Sequence, residues 1–298
     1  MLLKDKAIIV TGAGRGIGRD IAIQAAQAGA AVVVNDYDAA GSADAPAREV
    51  VDRITESGGR AIPNFGDVSR SEDAQRMVAD AIAAFGRLDG VVNNAGIVRD
   101  RIFHRMSYEE WRQVIDVNLT GPFNVSRAAA EVFRKQQSGA YVHLTSTSGL
   151  IGNFGQANYA SSKLGLVALS KSIALDMKAF SVRSNCIAPF AWTRMTDTIP
   201  ADTPDQVVRL ERARKMTPEQ IAPLALFLLS DLASEVSGQV FASRMNEIML
   251  FNNMRPVRSV HRSDGWTAPA IAETVVPAMR PHFADLDRSP EYFSWDPI

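Results

Sequence analysis

The chain has 298 residues, 46% hydrophobic and 22% charged, which is enough to bury a large core and excludes a disordered, collagenous or coiled-coil chain. Thirty-two Lys and Arg against 33 Asp and Glu leave a net charge of −1, so no basic field is available to hold nucleic acid. The one cysteine, Cys186, cannot form an internal disulfide or a thiolate metal cage, and it fits a reducing, cytoplasmic setting.

The first residues are charged before any signal-type apolar stretch develops. The most apolar later stretch, residues 221–229, holds Pro223 and is too short to span a bilayer, so a soluble chain is expected. Residues 7–10 read as a buried strand that runs into the cluster Gly12, Gly14, Gly16, Gly18. Ile17, Ile21, Ala25 and Ala28 then recur at helical spacing up to Gly29. Strands are predicted at 31–34, 61–65, 91–92, 140–144, 182–187 (stopping before Pro189) and 239–241. Helices are predicted at 49–57, 71–85, 108–135 with a second section starting at Pro122, 157–180 and 218–229. Unbroken apolar strands separated by helices imply a doubly wound α/β fold with a parallel sheet covered on both faces. Residues 1–250 form that domain, and 251–298, rich in Pro, Arg and aromatics, form a C-terminal extension.

Glycines between a strand and a helix allow a tight turn and a close backbone approach to a pyrophosphate, whose charge a helix N-terminus stabilises. The spacing Thr11-Gly12-x-x-x-Gly16-x-Gly18 is shared by many plain turns. Asp36 adds to it: it ends the second strand twenty residues after Gly16, where an acid reaches ribose hydroxyls. Asn93-Asn94-Ala95-Gly96 and Asp67-Val68 follow two further strands in the same layer, where an open α/β sheet binds its ligands.

Tyr159 and Lys163 are four apart on one helix and share a face. A neighbouring ammonium favours phenolate, which would suit Tyr159 to acid/base work near neutral pH. Ser146, thirteen residues upstream at a strand end, could hold a substrate oxygen as its charge changes.

Together these segments resemble the short-chain dehydrogenases/reductases over residues 4–245. The matching residues are Thr11-Gly12-Ala13-Gly14-Arg15-Gly16-Ile17-Gly18, Asp67-Val68, Asn93-Asn94-Ala95-Gly96, Val117-Asn118-Leu119, Ser146 and Tyr159-Ala160-Ser161-Ser162-Lys163. The resemblance implies a Rossmann-type sheet, a nicotinamide cofactor and a homodimer or homotetramer. It makes Tyr159 the general acid/base, with Lys163 lowering its pKa and binding the nicotinamide ribose. Ser146 orients the substrate, and Asn118 holds a water that links Lys163 to a proton path. Thr193 stands where the family meets the nicotinamide amide. Pro189-Phe190 replaces the usual Pro-Gly, and the family's late glycine pair is absent.

Residues 31–36, with an expanded loop after them, resemble the hydroxyacyl-CoA dehydrogenase domain of peroxisomal multifunctional enzymes and its bacterial relatives. Residues 152–158 also resemble 3-oxoacyl-carrier-protein reductases. Asp36 favours NAD over NADP, although Arg15 could offset a phosphate. The connection 191–217 is where this fold places a movable substrate cover, and Phe190, Trp192, Met195, Ile199 and Met216 offer it an apolar lining. Arg194, Arg209, Arg212, Arg214 and Lys215 lie in or beside it and could meet CoA phosphates. A 3-hydroxyacyl-CoA or a hydroxysteroid-type alcohol is the expected substrate. A catalytically silent, cofactor-binding scaffold is the alternative, which the intact set Asn118, Ser146, Tyr159 and Lys163 disfavours. Arg255, Arg258 and Arg262 fit a subunit-contact surface or an anion. The four histidines lack paired ligand spacing, so no metal is expected.

Overall fold

Ala7–Val10 is β1, and all four residues are buried because alternate side chains enter different halves of the core. Ile8 and Val10 pack with Val32, Val34, Val92 and Val142 on one face of the sheet. Ile9 packs with Val33, Val91 and Tyr141 on the other. A strand covered on both faces therefore needs no polar side, which is why the run is unbroken. The computed structural model describes residues 1–40, 42, 44–192, 211 and 213–297.

The sheet continues through β2 (Ala31–Asn35), β3 (Arg60–Asn64), β4 (Gly90–Asn93), β5 (Gly139–Leu144), β6 (Val182–Phe190), β7 (Val240–Arg244) and β8 (Glu247–Leu250). Its order is β3-β2-β1-β4-β5-β6-β7-β8. The first seven strands run parallel, and β8 pairs antiparallel with β7. Helices α1 (Gly16–Gln27) and α2 (Pro46–Glu56), with the helix Ala222–Leu229, cover one face. α3 (Ser71–Phe85) and α5 (Gly121–Gln136) supply Met77, Val125 and Phe133 to the other. α7 (Ala157–Asp176) packs along β5 and β6, with α4 (Tyr108–Ile115) and the short α6 (Thr147–Leu150) against it. This is the expected doubly wound sheet. The chain leaves β1 in one direction and returns as β4 on its other side, which opens a crevice at the carboxyl ends of these two strands.

Three elements differ from expectation. The strand predicted to stop before Pro189 runs to Phe190, because β7 pairs along it and the proline removes only its own N–H. The helix predicted over 108–135 is broken by a π turn at Asp116–Thr120. β8 was not foreseen: its apolar residues Ile248 and Leu250 point to solvent, and its turn is an unremarked Met245-Asn246 with Met245 at φ +51°.

Beyond Leu250 the chain folds back onto the sheet ends. Phe293 is buried and meets Phe190 edge-on at 5.0 Å. No helix among the described residues is long and apolar enough to cross a membrane.

Phe133 is fully buried with its ring 4.9 Å from that of Tyr141, so Phe133→Ala empties the centre of one core layer. We expect a loss of about 3–5 kcal/mol in urea unfolding.

Candidate active site

A cleft of about 510 Å³ opens at the carboxyl ends of β1, β2, β4 and β5. Of the expected site residues, Gly12, Arg15, Gly16, Ile17, Asp36, Asp67, Val68, Asn94, Gly96, Tyr159, Lys163 and Pro189 line it. Thr193 and Met195 lie outside the described residues. Gly18, Asn118, Ser146, Phe190 and Trp192 stand behind or beside its walls.

At the β1 end, the loop is tied to the strand beside it. Thr11 Oγ1 accepts the N–H groups of Asn94 and Ala95 at 3.0 and 3.1 Å. Asn94 Nδ2 in turn donates to the carbonyls of Thr11 and Gly12 at 2.9 and 3.0 Å. Gly12 has φ +62°, and a Cβ there would lie 2.8 Å from Ala95 Cα. Gly18, expected at the cofactor, makes room for this knot: a Cβ on it would strike the Asn94 amide. A Cβ on Gly14 would strike the Asp36 carboxylate. α1 starts beside the cleft at Gly16, and its N-cap residue Arg15 makes no side-chain cap. Its first N–H groups are therefore left for an anion.

At the other end, Tyr159 and Lys163 project from α7 with Lys163 Nζ 5.6 Å from the phenol ring centre. Lys163 is 4% exposed and donates to the Leu144 carbonyl at 2.8 Å. Ser146 is the N-cap of α6, and its Oγ accepts from Ser148 N–H at 3.1 Å. Asn118 sits on the π turn, fully buried, and clamps Ile97: its Oδ1 accepts from Ile97 N–H at 2.8 Å and its Nδ2 donates to Ile97 O at 2.9 Å. A Cβ on Gly96 would sit 3.4 Å from Asn118 Oδ1 and 3.6 Å from Lys163 Nζ, so the two groups flank one glycine.

A family model described as enoyl-(acyl carrier protein) reductase matches residues 12–243. A Mycobacterium tuberculosis protein described as a short-chain type dehydrogenase/reductase is 42% identical over 84% of this chain and 87% of its own length. The chain belongs to the short-chain dehydrogenase/reductase family. The mouse peroxisomal multifunctional enzyme type 2 is 40% identical over 78% of this chain, which spans 31% of that protein's length. A Synechocystis 3-oxoacyl-[acyl-carrier-protein] reductase is 38% identical over 80% of this chain and 95% of its own. The crystal structure of a short chain dehydrogenase from Mycobacterium avium superposes with a TM-score of 0.84 at 35% identity, covering 94% of this chain and 96% of that one.

The electrostatics of this dehydrogenase/reductase correct one expectation. Lys163 was expected to lower the Tyr159 phenol. Burial instead pushes the phenol up to about 12, the Ser146 hydrogen bond pulls it back, and the charge of Asp100 adds to the rise. Tyr159 is only part-buried and lines the cleft, so water there offsets part of the push. Lys163 is itself pushed down to about 8 by burial, and its Nζ is turned to the Leu144 carbonyl. Neither Phe190 nor Trp192 is among the residues lining the cleft: Phe190 packs edge-on against Phe293, and the Trp192 backbone N–H donates to Met216 O at 2.6 Å with the Arg214 guanidinium 5.9 Å from its ring centre.

Three positioning residues escaped the sequence reading. Asn158 donates to the carbonyls of Arg99 and Glu110 at 3.0 Å each and accepts from Tyr159 N–H at 2.7 Å, which fixes the start of α7. Thr145 Oγ1 donates to Lys163 O at 2.6 Å, and Ser162 Oγ to Tyr159 O at 2.7 Å. Their signal is a polar side chain beside a catalytic candidate, which many exposed residues share. His143 is a hydrogen-bonded core histidine: it meets Asn93 Nδ2 and Ser184 Oγ at 3.1 Å each, and burial holds it neutral by pushing it down to about 3. Cys186 is buried, and its thiol is pushed up to about 12.

The depressed Lys163 has a stability signature. Between about pH 8 and its ordinary value of 10.5 the unfolded chain binds the proton that the folded chain has released. Relative to Lys163→Met, the parent should therefore gain stability as pH rises through that window, by roughly 3 kcal/mol at most, with no change below it. Urea unfolding of both proteins at a series of pH values measures the difference.

Proposed function

We propose that the chain is an NAD(H)-dependent oxidoreductase that interconverts a secondary alcohol and a ketone. The observation that carries this reading is that one cleft has Asp36 at one end and the Tyr159–Lys163 pair at the other, joined by a wall on which added Cβ atoms would collide. That cradle fits a dinucleotide. The N-terminus of α1 with Gly12, Arg15, Gly16 and Ile17 would face its pyrophosphate, Asp36 a ribose, and Asp67 and Val68 the adenosine end. Asn94 would hold the loop, and Gly96, Lys163 and Pro189 would face the nicotinamide half. Bound nicotinamide would accept or supply the hydride.

The chain's own residues would move the proton. In alcohol oxidation the Tyr159 phenolate takes the hydroxyl proton; in ketone reduction the phenol returns it at Oη. The raised phenol of the free protein favours the acid form, which suits donation to a ketone. Ser146, whose hydroxyl lowers the Tyr159 phenol, would hold the substrate oxygen as its charge changes. Asn118, with its amide spent on Ile97, fixes the wall beside Lys163.

For substrate we favour a 3-hydroxyacyl-CoA or a hydroxysteroid-type alcohol, supported by the likeness to the peroxisomal multifunctional enzyme. Reduction of a 3-oxoacyl-carrier-protein substrate is the second reading, favoured by the match over 95% of the Synechocystis reductase. A homodimer or homotetramer in a reducing, cytoplasmic setting completes the proposal.

Assays of NAD reduction with hydroxyacyl-CoA thioesters, hydroxysteroids and polar sugar alcohols test the substrate class, and activity on the sugar alcohols alone overturns it. Tyr159→Phe should keep NADH binding and lose roughly 10² to 10⁴-fold or more of turnover; activity within a few-fold of the parent removes Tyr159 from its role. A 2′-phosphate about 4 Å from Asp36 would be repelled by roughly 4 kcal/mol at an effective dielectric of 20, less where water screens it. NAD should therefore be preferred at least about tenfold by kcat/KM, and equal use of NADP refutes the cofactor assignment.

A further inference from the structure

The segment that carries the candidate serine is held from outside the sheet. α6 is only four residues long, too short to be stable alone, and Ser146 caps its first turn. One residue of the C-terminal tail grips both of its ends. Ser289 Oγ donates to Thr147 Oγ1 at 2.5 Å, and Ser289 N–H donates to the Gly152 carbonyl at 2.9 Å. Ser289 is 6% exposed, so water does not replace these bonds freely. Gly152 has φ +147°, and a Cβ there would lie 3.4 Å from the Asp287 carbonyl, so the fit of tail to loop is close.

The tail is pinned on both sides of Ser289. Before it, the Arg288 guanidinium lies 4.9 Å over the Phe154 ring and pairs with Glu291. After it, Phe293 packs on Phe190, the Trp295 indole donates to Glu247 Oε1 at 2.9 Å, and the Trp295 carbonyl accepts from Arg244 Nη2 at 2.5 Å. The strap thus crosses from the loop after β5 to the ends of β6 and β7, all on the cleft side of the sheet.

We propose that the C-terminal strap 287–295 is a working part of the active site, and that Ser289 is a positioning residue that holds Ser146 through Thr147 and Gly152. Its catalytic consequence rests on Ser146 orienting the substrate oxygen, as proposed above. The part of the cleft that would hold the pyrophosphate and adenosine lies on β1, β2 and β4, and outside the strap Ser289 bonds Thr147 and Gly152, so its loss acts on the chemical step and spares cofactor binding.

The test uses the full chain with Ser289→Ala and Thr147→Val, singly and together, and Thr147→Ser as the variant that keeps the hydroxyl. Deuterium uptake of the peptide covering 145–153, NADH affinity, and kcat and KM on an active alcohol are measured. Uptake in 145–153 should quicken about three- to tenfold in Ser289→Ala, as expected for one lost buried hydrogen bond. kcat should fall about tenfold, within the ~10²-fold that an ångström-scale misplacement costs. NADH affinity should stay within about twofold. The double variant should be no worse than Ser289→Ala alone, because both changes break one bond, and Thr147→Ser should behave as the parent. Unchanged uptake in Ser289→Ala overturns the assignment, as does NADH affinity falling in step with kcat, or single losses that multiply in the double variant. Uptake needs no substrate. If no alcohol is turned over, the proposed function fails by itself, and the strap is judged on exchange.

Discussion

The loops that follow β1 and β4 touch backbone to backbone, and the geometry of the cleft hangs on that contact. Asn94 satisfies two carbonyls of the opposite loop and Thr11 satisfies two of its amides, so four backbone groups that water would otherwise claim are paired across the gap. The knot closes because Gly12 and Gly18 leave space for it. Every other part of the cleft is measured from this join. α1 starts five residues after Thr11, Asp36 stands beside it at the end of β2, and Gly96 leads from it to Asn118 and Lys163.

The far end of the cleft is governed by burial. Tyr159 and Lys163 are pushed in opposite directions, the phenol away from its anion and the amine away from its cation. The phenol therefore stays neutral near pH 7, whereas the amine, at about 8, still keeps most of its proton there, so the pair carries one buried positive charge. A modest change in solvation or partner then moves the proton balance. Asn158, Thr145 and Ser162 matter here because they anchor the backbone of α7, so this balance is set at a fixed geometry.

The parallel sheet and the residues around its crevice were legible because their signals are local. α3 begins and ends where its acidic first turn and Gly86 say, and Gly86 adopts the left-handed conformation that stops a helix. Gly12, Asp36, Tyr159 and Lys163 sit at strand ends or one helical turn apart, so spacing alone brings them into one layer. What stayed hidden depends on distant partners. The π turn at Asp116–Thr120 has no residue-type signal of its own inside an otherwise helical pattern. β8 shows its apolar residues to solvent, contrary to the pattern by which strands are read. Phe190 looks like pocket lining until Phe293, more than a hundred residues later, packs against it. The rise of the Tyr159 phenol follows from burial, which no spacing encodes.

The bond between Ser289 and Thr147 spans 142 residues of sequence. Chains are made from the N-terminus at about 5–20 residues per second, so the strap leaves the ribosome several seconds after the strands it binds. During that interval the sheet can assemble while α6 still lacks its outer support. The Ser146 end of the cleft is therefore finished late, and a chain interrupted before residue 287 would carry the whole sheet with α6 still unsupported.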